Sequence, residues 1–108
     1  MDHTISVSVD QAGGTTADLV AAVTGKTIRV VSFCLSVSGA VSTVKSTLQD
    51  KTANTVRMTL VGDATTPVTY TFKGSDKDPA FEVLNSDALE LVTGTAAAIS
   101  GFITYQYV

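Results

Sequence analysis

Residues 26–38 read KTIRVVSFCLSVS, thirteen positions with neither proline nor glycine and an unbroken alternation of side chains. At a period of two, Arg29, Val31, Phe33, Leu35 and Val37 share one face, and Ile28, Val30, Ser32, Cys34, Ser36 and Ser38 share the other. Beyond Arg29 the first face is wholly apolar. The second is small and mixed, which suits a strand whose far side meets solvent, a partner subunit or thin cover. A helix would scatter Val31, Phe33, Leu35 and Val37 around its circumference, and the density of β-branched residues also favours a strand. This segment is expected to be the central strand of the fold.

The flanking sequence repeats the pattern in shorter pieces. Ile5, Val7 and Val9 alternate with Thr4, Ser6 and Ser8, and 10–15 (DQAGGT) is a turn with two glycines. Asp18–Val23 (DLVAAV) admits one helical turn or a strand, and its flanks suit the strand. Ser42–Leu48 reads as a solvent-facing strand, with Val44 and Leu48 opposite Lys45 and Thr47, before a turn over Gln49–Asn54. Thr55–Val61 sets Val56, Met58 and Leu60 against Arg57 and Thr59, and Val68–Lys73 sets Val68, Tyr70 and Phe72 against Thr69, Thr71 and Lys73. After the polar segment 74–79 (GSDKDP), strands are expected at Phe81–Leu84, Ala88–Thr93 and Ile99–Val108. In the last of these Ile99, Ile103, Tyr105 and Tyr107 share a face and Gly101 makes a bend or bulge. Eight to nine short strands with turn signals at intervals of roughly 8–12 residues define an all-β chain. The long gaps between strands that must pair favour a single β-sandwich of jelly-roll or related Greek-key type over a meander.

Composition bounds the class of protein. The 108 residues suit one domain spanning 1–108. Hydrophobic residues make up 44%, but aromatics only 6% and there is no Trp, so the core rests on Val, Ile, Leu and Ala. A mean hydropathy of +0.30 with 16% charged residues leaves less surface charge than a small monomer ordinarily carries, so an oligomer is expected. The net charge of −3 and the dispersed Lys and Arg weigh against nucleic acid and against an anionic membrane. No run approaches the ~18 apolar residues of a membrane span. Cys34 is the single cysteine, which excludes an internal disulfide and reads as a packed thiol. The stretch MDHTISVSVD has neither a basic nor an apolar leader region, so no secretory signal is read and assembly in a cytoplasm is expected.

Residues with chemical potential are few. His3, the single histidine, sits at the beginning of the chain, a poor place for the base of a nucleophilic triad. Glu82 and Glu90 are the one carboxylate pair to weigh for glycoside hydrolysis, which needs two such groups at a set separation; each is expected as a solvated glutamate on the polar side of its strand. Asp76-Lys77-Asp78, with Asp63 in a neighbouring loop, offers too few oxygens for calcium and reads as a solvated turn. Tyr70, Tyr105 and Tyr107 are the available platforms for a sugar, although the Tyr105–Tyr107 pair equally suits a core or interface anchor. No enzymatic activity, catalytic residue, cofactor or metal is assigned.

Two segments carry a family resemblance. Residues 25–32 (GKTIRVVS), followed by a strand and the VSTVK stretch, resemble the opening strands of small structural proteins encoded beside the capsid and tail genes of tailed bacteriophages. The region 87–91 (DALEL), a loop of small residues and then 99–105 (ISGFITY) resemble their closing strands, so the likeness spans most of residues 25–107. The resemblance implies a virion component with a β-sandwich fold: a capsid decoration, or cement, protein on the capsid surface. Members of that family resemble one another as small homo-oligomers that clamp neighbouring copies of the major capsid protein, with a trimer favoured over a dimer. Tyr105, Tyr107 and Phe102 are then the candidate subunit or capsid contacts, the small face of the central strand being the other candidate. The alternative expectation is a carbohydrate-binding module of a phage head fibre, tail fibre or spike.

Overall fold

Period-two alternation carries through the chain as nine strands among the described residues: β1 (Ile5–Gln11), β2 (Thr16–Val20), β3 (Ile28–Ser38), β4 (Lys45–Asp50), β5 (Val56–Val61), β6 (Val68–Lys73), β7 (Phe81–Val83), β8 (Leu89–Val92) and β9 (Ala98–Tyr107). The computed structural model describes residues 4–39, 45–63 and 65–108. The strands form two antiparallel sheets. The first runs β1-β9-β3-β6 with β7 also paired to β3, and the second runs β2-β8-β4-β5. The pairs are nested: β4 with β5 innermost, then β3 with β6 and β7, then β2 with β8, and β1 with β9 outermost. Two further pairings, β9 with β3 and β8 with β4, close this folded ribbon into a sandwich.

Packing of the two inner faces makes the core. Val20, Leu48, Leu60, Leu89 and Leu91 of the second sheet meet Val9, Ile28, Val30, Phe33, Leu35, Val37, Ile99 and Ile103 of the first, all essentially sealed from water. Each such side chain contributes about 1.5–3 kcal/mol by burial, so a core poor in aromatics is filled by number instead of size.

The central strand departs from strict alternation at one place. Its pairing with β9 slips between Val30 and Ser32, a β-bulge that puts two residues of β3 against one step of β9. Ile28 and Val30 therefore join Phe33, Leu35 and Val37 inside, while Arg29 joins Ser32, Cys34 and Ser36 outside, contrary to the faces that uninterrupted alternation assigns. The bulge sits opposite a second irregularity. β6 and β7 lie end to end along β3, and residues 74–80 between them leave the sheet. The excursion is tied at both feet, with Gly74 N–H donating to Val31 O (3.2 Å) and Ala80 N–H to Val30 O (2.9 Å).

Gly101 is not a bulge. It pairs in register with Val9 on one side and Leu35 on the other. Its backbone has φ +137°, and a Cβ there would collide with the Cys34 carbonyl, so glycine is required for the close approach of β9 to β3. Two other expectations are corrected. The segment expected as a strand over Asp18–Val23 is extended only to Val20 and starts earlier, at Thr16. β4 is an interior strand of the second sheet with Ser46 and Leu48 buried, not a solvent-facing one, and it runs on to Asp50 into what reads as the turn; Ser42–Val44 lie outside the described residues.

Polar side chains strap the sheets together. The Tyr70 hydroxyl, on β6, donates to Val61 O (2.8 Å) and accepts from Val61 N–H (2.9 Å), joining the edges of the two sheets. The Gln11 amide, on β1, donates to Thr15 O (3.0 Å) and Leu91 O (2.8 Å). Asp87, in the β7–β8 loop, takes the N–H groups of Thr52 (2.9 Å), Ala53 (3.0 Å) and Ala88 (2.9 Å), which fixes the β4–β5 turn.

Candidate functional site

The residues with chemical potential are kept apart by the fold. Glu82 lies on the outer face of the first sheet, its carboxylate paired with Arg29 Nε at 3.0 Å. Glu90 lies on the outer face of the second sheet between Leu89 and Leu91, which point inward. The two therefore project from opposite sides of a sandwich whose sheets stand about 10 Å apart, and no single sugar ring reaches both. Glu90 is also not the solvated glutamate its strand position suggests: it is 8% exposed and accepts a hydrogen bond from Gln49 Nε2 at 2.8 Å. Asp63 and the Asp76-Lys77-Asp78 turn are separated by the length of β6, about 20 Å. Asp63 accepts from the Thr65 N–H and hydroxyl, both at 2.9 Å, and these bonds hold its carboxyl below the usual carboxylate range. No group of three metal-ligating side chains occurs among the described residues, and His3 lies outside them.

The tyrosines are anchors within the sandwich. Tyr70 points its hydroxyl at the Val61 backbone. Tyr105 and Tyr107 are half-buried against the core and meet edge to face, with ring centroids 5.5 Å apart. The Tyr107 hydroxyl donates to Ala21 O at 2.7 Å, and burial, with Tyr105 alongside, pushes its pKa above that of an ordinary phenol. Phe102 belongs to a different surface: it stands 43% exposed on the outer face of the first sheet.

That outer face is a grid whose rows follow from strand register. Across β1, β9, β3 and β6, one row reads Ser6, Thr104, Ser32 and Lys73. The next reads Ser8, Phe102, Cys34 and Thr71, and the third reads Asp10, Ser100, Ser36 and Thr69. The Ser32 and Thr104 hydroxyls bond across β3 and β9, and the Thr71 hydroxyl donates to the Cys34 sulfur at 3.8 Å. Beyond the first row, Gln106, Arg29 and Glu82 complete the face with an ion pair of their own. Asp10 and Lys73, at opposite corners, make no ion pair among the described residues. Beside Phe102 a shallow depression of about 260 Å³ opens over Cys34, Thr71 and Lys73 on the outer face, while the stacked rings of Phe33 and Phe72, 6.0 Å apart, pack on the inner side of the same strands.

The outer face of the second sheet is built differently. Lys51 pairs with Asp18 at 2.9 Å, and the hydrogen bond to that carboxylate raises the lysine pKa. At one end of the same sheet Arg57 grips Asp50, which is buried in register with Leu89, through Nε (2.8 Å) and Nη2 (2.7 Å).

A second candidate surface is one end of the sandwich, where the start of β1, the β2–β3 loop, the β4–β5 turn, the β7–β8 loop and the end of β9 come together. Gly25 N–H donates to Ser86 Oγ (2.7 Å) and Thr27 pairs with Val108, which locks these segments to one another. Ile5, Val23, Val56 and Leu84 all stand at this end, between 40% and 50% exposed. Sequence reasoning singled out Phe102 but missed these four, because their strands and turns are brought to one end only by the topology. No family model, curated protein or solved structure matches the chain.

Proposed function

We propose that the protein is a bacteriophage capsid decoration protein, a non-enzymatic homo-oligomer that binds the major capsid protein and stabilises the shell on the virion surface. The observation that carries this reading is the pairing of two built surfaces with a scaffold whose polar groups are spent on holding it together. One surface is the broad Ser/Thr grid of the first sheet, and the other is the apolar end bearing Ile5, Val23, Val56 and Leu84. A cement protein needs contacts to its sister subunits and contacts to the shell, and exposed apolar groups grouped at one end mark an interaction site. The nested strand pairing supports reading the sandwich as a jelly roll, an architecture common among capsid domains. The resemblance of residues 25–107 to phage structural proteins points the same way.

In this reading the apolar end faces the shell and the grid faces a sister subunit. The test is co-sedimentation with empty heads assembled from the cognate major capsid protein, before and after expansion. The protein is expected to pellet with expanded heads, and a Val23→Asp, Leu84→Asp double variant is expected to stay in the supernatant while remaining folded. Indifference to both kinds of head, or retention on a glycan array instead, overturns the proposal.

A further inference from the structure

We infer that the outer face of the first sheet is a self-complementary docking surface, on which a second copy of this chain packs about a two-fold axis that brings Asp10 of each subunit onto Lys73 of the other. The inference rests on the oligomer in the reading above but makes of it a two-fold pair where the family resemblance favours a trimer, and its test needs no phage particle.

Asp10 lies on β1 at one edge of the grid and Lys73 on β6 at the other, two rows apart, with Phe102 and Cys34 at the centre. Three strand spacings, about 14 Å, separate β1 from β6, and four residues, also about 14 Å, separate the two rows. The line from Asp10 to Lys73 therefore crosses the grid at about 45° to the strands. A two-fold axis lying between two such faces, along the other diagonal, exchanges the two corners. It pairs each aspartate with a lysine and crosses the strands at near 90°, one of the two ways in which sheets pack face to face.

The same axis leaves the rest of the face matched. Between the charged corners the rows carry Ser, Thr and Cys, which bring no desolvated charge into the contact. Phe102, near the axis, moves over the margin of the partner's depression beside Cys34, an apolar knob meeting an apolar hollow. The Arg29–Glu82 pair at the margin is already neutralised within the subunit. A closed pair of this kind is isologous, each contact occurring twice. The overlapping area is roughly 400 Å² of flat sheet per copy. That places the pair among small, reversible interfaces and makes it dissociate on dilution.

Reversing either corner sets like charges against each other at both symmetric contacts. Asp10→Lys alone and Lys73→Asp alone are therefore each expected to weaken association by about tenfold in sedimentation equilibrium. The double variant Asp10→Lys, Lys73→Asp is expected to recover it. Both positions are exposed, so circular dichroism and thermal unfolding verify that each variant stays folded. On a Cys34→Ser background carrying Asp10→Cys and Lys73→Cys, mild oxidation is expected to give an intermolecular disulfide between positions 10 and 73, identified by peptide mass. A strictly monomeric wild-type protein, a three-fold mass, a pair insensitive to the single reversals, or a double variant as weak as the singles overturns the inference. Failure to bind heads while the swap behaves as expected overturns the decoration reading and leaves this one standing.

Discussion

Asp87 shows how a single side chain can set the pH response of the fold. Its burial works against ionisation, but N–H groups from Ala53, Thr52 and Ala88 outweigh it and hold the carboxyl below the usual aspartate range. Because the folded pKa lies below the unfolded value near 3.9, the contribution to stability is complete above that value and is lost as pH falls through the folded pKa. Asp87→Asn keeps the shape and one acceptor but not the charge. It is expected to cost roughly 1.5–3 kcal/mol at pH 7. In urea unfolding the gap between variant and wild type is expected to narrow between pH 5 and pH 2, where the wild-type carboxyl becomes neutral; a gap that does not change with pH refutes the assignment. Nothing in the sequence around Asp87 distinguishes it from Asp76 or Asp78, because two of its three donors, Thr52 and Ala53, come from a turn more than thirty residues away.

Among the strands, β5 and β6 are edges of different sheets, and Tyr70 holds them together. Its hydroxyl supplies a donor and an acceptor to the same residue, Val61, at the end of β5. Tyr70→Phe removes both partners and leaves the ring in place, so a loss of about 1–2 kcal/mol is expected. Amide exchange at Val61 should then accelerate more than exchange at Leu60, and equal protection in variant and wild type refutes the strap. Alternation alone identified the faces of β6 correctly, because it is short and pairs with β3 without interruption; in β5 it fails at the start, where the register with β4 shifts between Leu48 and Gln49 and sets Val56 opposite Gln49 instead of with Met58 and Leu60. It misassigned the start of β3, where the bulge beside Val31 changes the face of everything before it. A bulge adds one residue without any composition signal of its own, so only the partner strand reveals it.

At the scale of the whole molecule, the two sheets divide the labour. The second sheet satisfies Asp18 with Lys51 and Asp50 with Arg57 within the chain, whereas the first leaves Asp10 and Lys73 at opposite corners of an uncharged grid. Mass action links that grid to stability: a pair that forms only from folded subunits stabilises them in proportion to the logarithm of concentration. The unfolding temperature is thus expected to rise across a hundredfold range of protein concentration in the wild type and to stay flat in Lys73→Asp. Scanning calorimetry at the two extremes decides it.

The linear order of residues was enough to determine an all-β chain, the approximate positions of its strands and the small outward face of β3, since side-chain alternation is a local property that needs no partner to be read. It also marked Phe102 and Tyr105–Tyr107 as notable, though not that one ring faces out and two face in toward the core. Only the tertiary structure decided which strands are neighbours, where alternation breaks, which acids are buried and which apolar residues meet at one end. The physical reason is that these depend on contacts such as Ile5 with Tyr105 and Thr52 with Asp87, formed between segments far apart along the chain.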